Sequence, residues 1–188
     1  MSQAKTLTQQ EIKQVLGIIA IGKHVQRNRA MFLLTCWAGL RVGEVANLRY
    51  YDVIDENGLV RNEIRLSAAQ TKGGVERTVF VNERLQKELQ SYAKELTRVN
   101  LTDAFFYTQK RKGFTANTLA QHFFWQYKKS GIIGGSSHSG RRTFITTLAS
   151  KGVSVRVLAS LAGHANISTT QRYIDVNDDM KRQAVELM

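Results

Sequence analysis

The apolar positions change period along the chain, and each change marks an element. In "LTQQEIKQVLGII", Thr8 and Glu11 have the spacing of a capping box, with Leu7 placed to staple the first turn, so a helix starts there. "RNRAMFLLTCWAGL" is apolar nearly all round and predicts a buried helix. "VGEVANL" predicts a short one, with Val42, Val45 and Leu48 on one face. From Asn62 to Val81 the pattern changes to strands. "NEIRLSA" and "RTVFV" are joined around "TKGG", whose paired glycines permit a hairpin turn. Helical spacing returns in "ERLQKELQSYAKEL" through Leu85, Leu89, Tyr92 and Leu96, and "AFFYT" fits either a short strand or a turn of helix. "NTLAQHFFWQYKKSG", "SGRRTFITTLASKG" and "SVRVLASLAG" predict three helices that stop at Gly131, Gly152 and Gly163. Two more helical pieces carry Tyr173 and the tail "DDMKRQAVELM", where Met180, Ala184, Val185 and Met188 form a stripe. With neither repeats nor proline to punctuate it, the pattern predicts one mostly helical α+β domain with a small antiparallel sheet.

Composition narrows the class. A chain of 188 residues is long enough to bury a core without staples. Its one cysteine, Cys36, lies in an apolar run and suits a reducing compartment. The polar start "MSQAKTLTQQ" is no secretion signal, and the apolar runs fall far short of the roughly 20 residues a membrane span needs, so the expectation is a soluble, cytoplasmic protein, bacterial or carried into a host by phage or plasmid. Charge changes the picture more. Lys and Arg number 27 against 15 Asp and Glu, and from Ala104 to Ile174 there is no acidic residue at all. A continuous one-sign segment of that length is the footprint of a phosphate-backbone binder.

The polar candidates are few. Arg41, directly after a strongly apolar helix and three residues before Glu44, must either pair with that carboxylate or bind an anion. Lys72 sits at the hairpin tip, as a solvated turn residue or as an ammonium delivered into a cleft. "HSGRRTF" sets His138 and Arg141 on one side of a helix that begins there. His164 follows a helix stop, and Tyr173 lies nine residues beyond it. The basic surroundings and the missing third ligand speak against a metal at the histidines. Neither a serine or cysteine triad nor a P-loop is present, and no cofactor is expected. Phosphodiester transfer gives each residue a task. Two guanidinium forks hold the non-bridging oxygens of the transition state. A lysine or histidine protonates the departing sugar oxygen, and a tyrosine attacks phosphorus, conserving the bond in a phosphotyrosine that another DNA end reverses.

In that order, Arg41, Lys72, His138, Arg141, His164 and Tyr173 resemble the active-site signature of the tyrosine recombinases, the phage-integrase family. The stretches "GLRVGEVANLRYYDV", "TKGGVERTVFV" and "HSGRRTFITTLASKGVSVRVLASLAGHANISTTQRYID" carry the likeness over nearly the whole chain. The resemblance implies the family's catalytic-domain fold and a site-specific recombinase, acting in integration, excision or inversion through a 3′-phosphotyrosine. It makes Tyr173 the nucleophile, Arg41 and Arg141 the phosphate clamp, Lys72 the general acid, His138 the proton relay and His164 a phosphate ligand, with Glu44 holding the first arginine. It also implies a homo-tetramer on two synapsed double-stranded DNA sites and a tail helix packed on a neighbouring protomer, with packing on its own protomer as the alternative. Two features depart from the family pattern. Ser139-Gly140 stands between the histidine and the arginine, which predicts weak helix initiation there. Residues 1–188 leave no room for the separate N-terminal core-binding domain many members carry, so one catalytic domain is expected. Two rivals remain. One is a non-catalytic regulator, since "VRVLASLAGHANISTTQRYI" imitates a helix-turn-helix. The other is a type IB topoisomerase-like enzyme, which shares the chemistry.

Overall fold

The computed structural model of the chain describes residues 4–97, 100–110, 112–174 and, in the tail, 181, 182, 185, 186 and 188. Among these lie nine α-helices and one antiparallel strand pair. Helix α1 (Gln9–Ala20) starts where the capping box places it. The Thr8 hydroxyl accepts from the Glu11 N–H at 3.1 Å, and Glu11 accepts from the Thr8 N–H at 2.9 Å. Leu7 is buried, and its N–H donates to Thr143 Oγ1 at 2.8 Å, which ties the start of the chain to a helix far downstream.

Helix α2 (Val25–Trp37) is the central post, buried from Arg27 through Cys36 apart from the half-buried Arg29. It packs against α1, the short α3 (Val42–Asn47), α5 (Glu83–Ala93) and α7 (Ser139–Ser150). Helix α5 buries Leu85, Leu89 and Tyr92 as the periodicity requires, but it ends at Ala93 rather than running on to Leu96. "AFFYT" is neither strand nor helix. Ala104 makes a single antiparallel bridge to Arg49, and the Phe105 N–H donates to Leu48 O at 2.7 Å. Phe105 and Phe106 then turn inward against Tyr92, whose hydroxyl donates to Phe105 O at 3.0 Å. Aromatic burial settles the conformation of this segment in place of regular pairing.

The sheet is smaller than the alternation suggests. Strand β1 (Glu63–Leu66) pairs with β2 (Arg77–Phe80), setting Leu66 opposite Arg77 and turning Ile64, Leu66 and Val79 into the core. The first arm stops at Leu66 because the Gln70 side chain captures both the Ser67 N–H and its hydroxyl at 2.9 Å, curling the chain into a 3-10 turn at Ala68–Gln70. "TKGG" does turn, closed by the Thr71 hydroxyl donating to Val75 O at 2.9 Å, but at the tip of a longer loop. A one-turn helix, α4 (Tyr50–Val53), precedes the sheet, with Asp52 accepting from the Arg49 N–H at 2.8 Å.

The C-terminal half follows the pattern as α6 (Ala116–Lys129), α7, α8 (Val155–Ala162) and the short α9 (Ile167–Gln171). The glycine in Ser139-Gly140 proves to be a packing device. A Cβ at Gly140 would lie 2.0 Å from Thr35 Oγ1, so its absence is what lets α7 cross α2 so closely. The His138 side chain does not cap the start of α7, and the Ser139 hydroxyl accepts from the Ser136 N–H at 3.0 Å in the turn that leads into it. Gly140→Ala should therefore destabilise the protein by about 1–3 kcal/mol, despite alanine's better helix propensity. A denaturant midpoint equal to wild type would contradict that packing. The tail helix and its proposed docking fall largely outside the described residues, as Met180 and Ala184 do. No helix among the described residues is long and apolar enough to cross a membrane.

Candidate active site

The site is assembled around the end of α8. Gly163 stops the helix in the left-handed conformation (φ 60°, ψ 48°), which glycine adopts without strain. A helix end leaves carbonyls without intrahelical partners. Three arginines take three consecutive ones. Arg77 Nη1 donates to Leu161 O at 2.8 Å, Arg141 Nη2 to Ala162 O, and Arg41 Nη2 to Gly163 O at 3.3 Å. The negative end of the helix dipole thus faces a cluster of positive charge.

One carboxylate serves that cluster. Glu44, 1 % exposed on α3, accepts from Arg41 Nη1 at 2.9 Å, from the Arg41 N–H at 2.7 Å, and from Arg77 Nε at 3.2 Å and Nη2 at 2.7 Å. Burial raises its pKa, but the Arg77 hydrogen bonds and charge, helped by the Arg41 N–H, leave it below the ordinary carboxylate value. The Arg41–Glu44 pairing and an anion-binding role for Arg41 therefore coexist. Arg141 is 3 % exposed, and both of its hydrogen bonds among the described residues go to backbone carbonyls, Gly39 O at 2.6 Å and Ala162 O. Burial, with Arg41 nearby, lowers its pKa to about 9, so at neutral pH it stays a cation with neutral partners. A buried charge satisfied only by dipoles is a site prepared for an anion.

His164 and Tyr173 form the opposite wall. Their rings stack with centroids 5.9 Å apart and planes 18° from parallel. His164 Nδ1 lies 2.8 Å from the buried Thr170 hydroxyl, and the Arg142 guanidinium sits 5.3 Å from the Tyr173 ring centroid. Burial, and then Arg141, Arg41 and Arg77, lower the His164 pKa to about 4, so its ring is neutral at pH 7. His138, exposed at the start of α7, is also lowered, by desolvation and then by Arg141, Lys72 and Arg41. Lys72 is exposed on the loop after β1, where it lines a cleft of about 530 Å³ together with Arg41, Arg77, His164, Asn166 and Thr169.

The described structure thus gathers the six candidates and Glu44 around one end of α8. It also adds one that the sequence reading missed, Arg77. The signal was present. Arg77 and Val79 alternate onto the same face of β2, and Val79 is buried, so an arginine there demanded a partner. In the helix-turn-helix imitation the second helix is short, since α9 has five residues, little over one turn, and Thr170 on it is spent on His164.

The histidines set an acid limit. With folded pKa values below the ordinary histidine value, the unfolded chain takes up protons first, so stability is full above about pH 6.5 and is lost as pH falls toward 4. His164→Gln should flatten the dependence of the unfolding midpoint on pH across that window. An unchanged slope would show that His164 carries no such penalty.

Comparison with known proteins places this site in context. Residues 5–180 match the model described as the phage integrase family. A tyrosine recombinase, XerA, from Pyrococcus furiosus is 31 % identical over 186 residues, covering 97 % of this chain and 61 % of that protein. The chain thus spans about three fifths of that curated relative's length. The crystal structure of a XerA recombinase superposes with a TM-score of 0.79 at 26 % identity, over 100 % of this chain and 66 % of that one. The Tn1549 transposon integrase, solved in complex with circular intermediate DNA, gives 0.75 at 22 % identity over 99 % of this chain and 67 % of that one, a likeness of fold.

Proposed function

The chain belongs to the phage integrase family, and from that premise we propose that it is the catalytic domain of a site-specific DNA recombinase that cuts and rejoins strands through a 3′-phosphotyrosine. The observation that carries this reading is the cluster of Arg41, Arg77 and Arg141 at the end of α8, the first two sharing the Glu44 carboxylate, facing the His164–Tyr173 stack. Such an excess of fixed cations suits the charge that develops on the non-bridging oxygens of a phosphate under attack.

In the proposed step, the Tyr173 oxygen attacks phosphorus and gives up its proton to the neutral His138. The P–O5′ bond breaks, and Lys72 donates a proton to the departing oxygen, leaving a 5′-hydroxyl and a 3′-phosphotyrosine. Arg41 and Arg141 hold the two non-bridging oxygens, with His164 as a neutral hydrogen-bonding partner. A 5′-hydroxyl from the second DNA site reverses the step and completes the exchange. The partners are then two duplex DNA sites, held together by four copies of the protein, with the acid-free segment from Ala104 to Ile174 supplying phosphate contacts. The Tn1549 integrase, which shares this fold, is solved on DNA.

Lys72 tests the assignment of roles. Lys72→Ala should slow cleavage by about 10²- to 10⁴-fold. A substrate with sulfur in place of the scissile 5′ oxygen needs little leaving-group protonation and should restore most of that rate. If sulfur leaves Lys72→Ala as slow as before, Lys72 is not the acid.

A further inference from the structure

We infer that Arg77 is a positioning residue for the phosphate clamp, acting by limiting the grip of Glu44 on Arg41. This inference rests on the strand-transfer reading above. Both arginines line the cleft, but Arg41 is the more open to it, with its side chain 23 % exposed against 7 % for Arg77 on the inward face of β2. Glu44 stands between them. Arg77 approaches it with a fork, Nη2 to Oε2 at 2.7 Å and Nε to Oε1 at 3.2 Å, while Arg41 reaches its side chain with Nη1 alone. The second Arg41 nitrogen is thereby left for Gly163 O, at a long 3.3 Å.

Two planar forks compete for one carboxylate, and the bidentate place is the stronger. Arg77 occupies it. Without Arg77, Arg41 would be the one guanidinium bonded to Glu44 among the described residues, and its fork would close onto both carboxylate oxygens, turning away from the cleft where a phosphate must be met. Arg77 also fixes the far side of the site. Its Nη1 holds Leu161 O at 2.8 Å, and its Cδ would lie 2.4 Å from any Cβ at Gly163, so it is seated against the turn that delivers His164. Arg77 belongs to the strand after the Lys72 loop and Leu161 to α8, so this one side chain links the loop, the carboxylate and the histidine turn.

The test is Arg77→Lys, which keeps the charge and the stem but cannot span both Glu44 oxygens and Leu161 O. Single-turnover cleavage of a nicked DNA substrate, compared well below the unfolding midpoint of the variant, should fall by about 10- to 100-fold, with DNA affinity near wild type. Placed on an Arg41→Ala background, the same substitution should cost less than about threefold, because the residue through which it acts is gone. A merely structural role would multiply in full on both backgrounds and would overturn the inference, as would wild-type cleavage by Arg77→Lys. Nitrogen-15 spectra of the guanidinium groups give a readout that needs no activity. The Arg41 signal should show slower guanidinium rotation in Arg77→Lys, as expected of a bidentate pair, and an unmoved signal would overturn the inference. A wild-type protein that traps no DNA would instead sink the strand-transfer reading, while the Arg41 signal would still decide whether Arg77 positions it.

Discussion

Tyr173→Phe should abolish the covalent DNA adduct while leaving DNA affinity within about twofold of wild type. The substitution removes only the attacking oxygen. The ring would keep its stack on His164 and its place beneath Arg142, and the Tyr173 N–H would still donate to Thr170 O at 2.9 Å. Gel shifts should therefore be unchanged and denaturant-resistant complexes absent. A variant that lost binding along with cleavage would make Tyr173 a structural residue of the site.

Arg141→Ala is the second large expected effect, a loss of about 10² to 10³ or more in cleavage rate with no rescue by the 5′-sulfur substrate. Sulfur relieves the leaving group, whereas Arg141 is assigned to the non-bridging oxygens. The substitution also takes the donors from Gly39 O and Ala162 O, at a cost of about 1–3 kcal/mol per unpaired buried group. Against this, it removes a buried cation whose pKa burial has already pulled to about 9. Rates should be compared well below the unfolding midpoint of the variant, so that they report chemistry. Rescue of Arg141→Ala by sulfur to the extent seen for Lys72→Ala would contradict the assignment of Arg141 to the non-bridging oxygens and place it at the leaving group.

What the sequence made legible was local. The Thr8–Glu11 box, the largely apolar run of α2, and the helix stops at Gly131, Gly152 and Gly163 depend on neighbours within a turn or two, and each appears where expected. The errors came where a distant or side-chain partner decided the matter. Gln70 ended β1 early, Tyr92 and the core drew in Phe105 and Phe106, and α4 is too short to show a period. Gly140 was read through propensity, but its reason lies on α2, at Thr35. The same division holds at the site. The six candidates were found because residue type and order suggested them. The feature that gathers the arginines, three successive carbonyls at the end of α8, depends on donors 21, 84 and 122 residues away from their acceptors, and no local pattern announces it.

The measurement that bears most directly on the central claim is identification of the residue and the DNA end joined in the trapped intermediate. Wild-type protein is incubated with nicked duplexes from a library of sites, so that the short 5′-hydroxyl fragment diffuses away after cleavage and religation fails. The adduct is isolated under denaturing conditions, digested and sequenced. One peptide containing Tyr173 is expected, joined through its phenolic oxygen to a 3′-phosphate, with a free 5′-hydroxyl on the released fragment. Attachment at another residue, a 5′-linked adduct, or cleaved DNA carrying no protein would contradict it.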